Sequence, residues 1–195
     1  MSAQQLSAWD NTIFRVQVGD RLDLPGLLAE VYSTLVVTDT PSAADKETPF
    51  ELEDCPIFAQ TRHDLIVPMA NHYLRNIWGY EGAIEYENHH SWPLCYSDGR
   101  GLEVHNHPTS HLTSVLYLAC SGQEDDSELV LLDPRSHAGR SYPEALRKSQ
   151  FASLRIRPRV GELLVFPSYI AHYVAPGRSS KRVSVNTDHH YELHE

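Results

Sequence analysis

LEVHNHPTSHLTSVLYLAC, residues 102–120, moves from a short alternating segment through a polar turn into an apolar run rich in β-branched and aromatic side chains. The first piece reads as a strand end, because side chains two apart along a strand point to the same face. His105 and His107 are two apart, so both imidazoles can reach one point. Pro108 then leaves the ladder, since it has no N–H to donate. Residues 112–120 read as a second strand.

Outward from this stretch the same texture continues. IEYEN, ELVLLD, ASLRIR, LLVFP, HYVAP and RVSVNTDHH are short strand-like runs, separated by SDGRG, SGQEDD, PRVGE and GRSSK. About eight short strands at this spacing after Gly82 predict a sandwich or barrel of antiparallel sheets. Before Gly82, TIFRVQV (12–18) alternates as a strand, and Asp23 with an early proline introduces a helical pattern in LPGLLAEVYSTLVV. Residues 39–53 read as a polar surface loop. Residues 56–78 carry apolar side chains at helical spacing, with Gly79 as a stop and Pro68 expected to kink or split the helix. The N-terminal helices are expected to pack outside one sheet.

The 195 residues suit one domain, 1–195, with supporting elements in 1–82 and a β core in 83–188. A formal net charge of −10 argues against a nucleic-acid partner, which needs clustered Lys and Arg. No stretch approaches the length of a membrane span, and the N-terminus lacks a basic flank and apolar core. A cytoplasmic protein is expected. Cys55, Cys95 and Cys120 form neither a disulfide framework nor a CxxC motif, so reduced thiols are expected. Histidine is the unusual residue: five of the twelve lie between His89 and His111.

Two histidines make half of a metal site. His172, in GELLVFPSYIAHYVAP, begins a strand after a glycine turn, an apolar strand and a proline, and is the best third ligand. Ten residues later, RVSVNT alternates, placing Val183 and Val185 on one face and Arg182, Ser184 and Asn186 on the other. An inward Arg182 needs an anionic partner, because burying an unpaired guanidinium is costly. Its planar fork matches a carboxylate, and Ser184 adds a donor.

The histidine pair, the aromatic strand, the GxLLxFP turn, the distal histidine and RxS together resemble the non-haem iron(II), 2-oxoglutarate-dependent oxygenases, including the prolyl-hydroxylase type. HNHPTSHLTSVLYL, LLDPR, GELLVFPSYIAHYV and RVSVNT look like a bacterial and phage group within that superfamily, over roughly residues 83–188. The resemblance implies a mainly β fold with flanking helices, a double-stranded β-helix or cupin-like jelly roll. It also implies Fe(II), 2-oxoglutarate and O2 as cofactors. His172 would stand as the distal ligand, and His105 and His107 in the H-x-D positions. Arg182 and Ser184 would hold the far carboxylate of 2-oxoglutarate, with Tyr117 also touching it. The implied reaction oxidises a C–H bond, by default to an alcohol, and releases succinate and CO2.

This chain departs from the superfamily at His107, where most members supply a carboxylate to a 2-His-1-carboxylate triad. Three neutral imidazoles would raise the site's charge by one unit, as in three-histidine cupin dioxygenases. Asp133 is the alternative carboxylate; the local spacing favours His107. His111 reads as pocket-lining or hydrogen-bonding, and Trp92, Asn106 and Arg135 as substrate contacts, Arg135 with pairing to Asp133 as its other role. Strand alternation turns one of His89 and His90 inward. The tail DHHYELHE reads as a chain end without a role. Residues 39–53 and 136–150 are long enough for lids. A small-molecule or amino-acid-type substrate is expected, and dimerisation through the N-terminal helices is compatible with the pattern. Two rival functions are a three-histidine cupin-type dioxygenase that does not use 2-oxoglutarate and a non-catalytic jelly-roll binding module.

Overall fold

The computed structural model describes residues 12–37, 55–96, 100–121, 127–135, 140–177 and 182–194. Two antiparallel sheets face each other as a jelly roll. The larger has the order β1-β7-β4-β9-β2 and the smaller β3-β8-β5-β6. In chain order the strands are β1 (Phe14–Gln17), β2 (Ala83–Tyr96), β3 (Leu102–His105), β4 (Leu112–Ala119), β5 (Leu129–Leu131), β6 (Leu154–Ile156), β7 (Glu162–Pro167), β8 (His172–Val174) and β9 (Arg182–His194).

The expected strands appear where alternation placed them, with two extensions. β2 runs unbroken through Pro93, which is tolerated because β2 is an edge strand and pairs only with β9. β9 continues to His194, through the tail expected to be a chain end without a role. The reason is long-range pairing: Ala83 is registered with His194 and His89 with His189. Gly161, at φ 74°, forms the tight entry to β7, and a Cβ there would meet Gly19 Cα at 2.5 Å.

Helix α1 (Leu24–Val37) is followed by a helical run built from α2 (Pro56–Thr61), a π-helical turn (Arg62–Ile66), α3 (Val67–His72) and a second π-helical turn (Tyr73–Ile77). Of the expected kink or split at Pro68, the split does not occur. The wide turn just before it, closed by Val67 N–H donating to Arg62 C=O, leads directly into α3 with Pro68 in its first turn, where a missing N–H costs least. Gly79, at φ 68°, ends the run as its position predicts. A last short helix, α4 (Glu144–Gln150), lies in the expected 136–150 lid segment. Of that segment, 136–139 fall outside the described residues, as does the 39–53 loop.

Alternation along the central strands divides the interior in two. Leu112, Leu116, Leu163, Val165, Val183 and Val185 pack outward against Leu27, Val31, Phe58 and Leu74 of the helices. Their neighbours Val115, Tyr117, Leu164 and Phe166 turn inward, against Trp92, Tyr96, Leu129 and Val174. A fully buried side chain of this type contributes about 1.5–3 kcal/mol, so the helical layer is an integral support of the larger sheet. Among the described residues, no helix is long and apolar enough to cross a membrane.

Candidate active site

The structure gathers His105, His107 and His172 at one end of the inner space. One ring nitrogen from each lies within 4.8 Å of the others. β3 and β8 are ladder neighbours, and His105 is the registered partner of His172. Their ring centroids are 4.4 Å apart, and His107 stacks on His172 at 5.3 Å. His107 lies just beyond β3 in a β-turn, closed by Ser110 N–H donating to His107 C=O, with Pro108 at its second position. The His107 N–H donates to Ser168 C=O, which ties this turn to the one that follows β7.

Each imidazole is held through Nδ1. His105 Nδ1 donates to Glu103 C=O at 2.8 Å, His172 Nδ1 to Ile170 C=O at 2.9 Å, and His107 Nδ1 lies 2.9 Å from Asp188 Oδ2. A neutral ring that donates from Nδ1 carries its lone pair on Nε2, the tautomer a metal requires. Burial pushes His172 down to about 4, with His105 and His107 adding to the effect against the Ile170 carbonyl. It is therefore uncharged near neutral pH. His107 Nε2 is buried without a hydrogen-bond partner among the described residues. These donors fit a divalent transition metal that accepts imidazole nitrogen.

A second group of polar atoms occupies the inner face of β9. Arg182 is 2% exposed, yet its Nε and Nη1 have no hydrogen-bond partner among the described residues. The guanidinium lies between two tyrosines, 5.2 Å from the Tyr96 ring centre and 5.0 Å from that of Tyr117. The Tyr96 and Tyr117 hydroxyls, Ser184 Oγ and Asn186 Oδ1 are likewise buried without a hydrogen-bond partner among the described residues. Burial pushes the Tyr96 phenol up to about 12 and also raises that of Tyr117, against the opposing charge of Arg182. Both hydroxyls keep their protons and can donate. A buried cation with unused donors, beside two tyrosine rings and on the same strand as Ser184, is matched to an anion that accepts several hydrogen bonds.

Trp92 is buried beside the cluster, with its ring 5.6 Å from that of His107. His90 lies against Trp92 in a tilted contact, 5.5 Å between ring centres, and shares its face, whereas His89 turns toward His189. His111 packs on His190 and Tyr191 and accepts the Tyr191 N–H at 3.3 Å, which fits a hydrogen-bonding role. Asn106 is exposed. Asp133 is outside the histidine group: Arg135 forks onto it, Nε to Oδ1 at 2.9 Å and Nη2 to Oδ2 at 2.6 Å. This bidentate pair occupies the Asp133 carboxylate, and Arg135 also lies over the face of Phe151, 5.1 Å from its ring centre.

Tyr96, Asn186 and Asp188 were missed as site residues by the sequence reading. Alternation did place Asn186 on the face of Arg182, but Tyr96 and Asp188 enter through the β2–β9 register and the β9 extension.

A jelly roll with a cluster of three imidazoles at one end and a buried arginine is an arrangement suited to metal-dependent oxygenases. Residues 90–188, just over half of the chain, match the family model described as "Putative 2OG-Fe(II) oxygenase", and the chain belongs to that family. Among solved structures, it is similar to a prolyl-4-hydroxylase from Pseudomonas putida, with a TM-score of 0.59 and 16% identity over 93% of this chain and 89% of that one. The viral collagen prolyl hydroxylase of Paramecium Bursaria Chlorella virus-1, in its 2OG complex, gives 0.61 and 12% over 91% and 94%. HygX from Streptomyces hygroscopicus, with nickel and 2-oxoglutarate bound, gives 0.61 and 13% over 92% and 83%. At these identities the likeness shows the fold. A search of curated protein sequences returns no match. Family membership makes this a 2-oxoglutarate- and Fe(II)-dependent dioxygenase, and favours that reading over a cupin-type enzyme without 2-oxoglutarate or a binding module.

Proposed function

We propose that the protein hydroxylates a C–H bond of a small-molecule or amino-acid-type substrate, with His105, His107 and His172 holding the iron. Arg182, Ser184, Tyr117 and Tyr96 hold the distal carboxylate of 2-oxoglutarate. The observation that carries this reading is the buried Arg182 with unused donors, beside the Tyr96 and Tyr117 rings, on the strand β9 that also reaches the histidine cluster through Asp188. Iron and 2-oxoglutarate together supply the oxidising chemistry, in which O2 is consumed and succinate and CO2 are released.

The protein's own contribution is placement and exclusion of water. Nδ1 contacts fix the three rings in one tautomer and orientation. Arg182 meets the cosubstrate's charge in a site from which water is largely excluded, where such an interaction is stronger than in bulk solvent. Trp92 supplies an apolar wall next to His107. The glutamate nearby does not cancel the anion site, because Arg15 Nε donates to the buried Glu162 at 2.6 Å.

The test is turnover of 2-oxoglutarate to succinate by the Fe(II)-loaded protein, screened against free amino acids and small amidic or acidic metabolites. The expected result is substrate-stimulated succinate release matched by a product that has gained one oxygen atom from O2. Oxidised product formed without 2-oxoglutarate would contradict it.

A further inference from the structure

Asp188 Oδ2 lies 2.9 Å from His107 Nδ1, and its Oδ1 accepts the Thr113 hydroxyl at 2.8 Å. The pair is sheltered, with side-chain exposures of 6% for His107 and 15% for Asp188. His105 and His172 make the corresponding Nδ1 contact to neutral backbone carbonyls. His107 has a carboxylate behind it, and His107 occupies the position where a ligating carboxylate is expected.

We infer that Asp188 is a positioning residue that returns, through the ring of His107, the negative charge lost when an imidazole stands in the carboxylate ligand position. A carboxylate that accepts the Nδ1 proton fixes the ring and raises the basicity of Nε2, and such partners affect metal affinity strongly. Thr113 and the registered Thr113–Asp188 pair of β4 and β9 hold the carboxylate in place. The inference rests on His107 being an iron ligand.

The test is an anaerobic Fe(II) titration of the purified full chain, followed by addition of 2-oxoglutarate and recording of the visible charge-transfer band. Asp188→Asn keeps an acceptor in place and removes the charge. It is expected to lower Fe(II) affinity roughly 10- to 100-fold and to move the band to shorter wavelength, because a less electron-rich iron gives up charge less readily. Thr113→Val, which removes only the hydroxyl, is expected to change affinity far less. The decisive comparison is the same Asp188→Asn change in a His107→Asp background. There two carboxylates would face each other, so the change is expected to raise affinity.

Loss of affinity of the same size in both backgrounds, or an Asp188→Asn protein that binds iron and shows the band as the unaltered chain does, overturns the inference and leaves the iron ligands standing. Fe(II) binding that survives His105→Ala, His107→Ala and His172→Ala alike overturns the ligand assignment itself, and the inference with it.

Discussion

His105 and His172, 67 positions apart in the chain, are direct cross-strand partners in the β3–β8 ladder, with ring centroids 4.4 Å apart. Their meeting depends on strand register, and a slip of one residue would turn one ring to the opposite face. Each is a third of the proposed ligand set. His105→Ala and His172→Ala are each expected to weaken Fe(II) binding more than roughly 100-fold, beyond the usual effect of residues behind the ligands. Anaerobic metal titration measures the loss, and circular dichroism checks that the fold is kept.

Asp133 provides the contrasting case. Its carboxylate is occupied by Arg135, which also donates to Gln150 C=O, so Asp133→Ala is expected to leave Fe(II) affinity within about twofold while loosening the surface near Gln150. A loss comparable to that of His172→Ala in the same titration would return the carboxylate to the ligand set.

Arg182 should show opposite effects on stability and on binding. Without an anion it is a buried charge with unused donors, so Arg182→Met is expected to leave the melting temperature of the ligand-free protein unchanged or higher. Removing one partner of a buried charge pair costs about 2–5 kcal/mol, so 2-oxoglutarate affinity should fall by a factor of roughly 30 to several thousand. Tyr96→Phe and Tyr117→Phe, each removing one hydroxyl, should cost roughly tenfold, as for hydrogen bonds to charged groups. Calorimetric binding of 2-oxoglutarate beside thermal melts checks both parts.

Behind the larger sheet, His189 and His89 share a hydrogen bond between their Nδ1 atoms at 2.9 Å, and His189 Nε2 lies 3.0 Å from the Ser114 hydroxyl. Burial holds His189 well below its usual value and also lowers His89. The unfolded chain therefore binds protons that the folded one refuses. Stability is complete above the unfolded imidazole value near 6.5 and declines as the pH falls below it, by at most about 1.4 kcal/mol per pH unit for each proton. Urea unfolding of the metal-free protein between about pH 7.5 and 5.5 should show this decline, and His189→Gln should flatten it.

Much of this site was legible in the sequence because local patterns carried it. Alternation in RVSVNT placed Arg182 and Ser184 on one face, and H-x-H at a strand end brought two rings together. The unread parts depended on long-range register. Tyr96 precedes a turn-like segment and gains a role only because β2 places it opposite Arg182. Asp188 looked like the start of a loose end, whereas β9 continues through it between β2 and β4. Pro68 signalled a break that a π-helical turn absorbs, a backbone adjustment without a residue signature.

The most direct test of the central claim is an anaerobic titration of the Fe(II)-loaded protein with 2-oxoglutarate, watched in the visible. A saturable metal-to-ligand charge-transfer band that is lost in His172→Ala and requires far more 2-oxoglutarate in Arg182→Met is the predicted result. A folded, iron-loaded protein that develops no such band at any 2-oxoglutarate concentration would contradict the account.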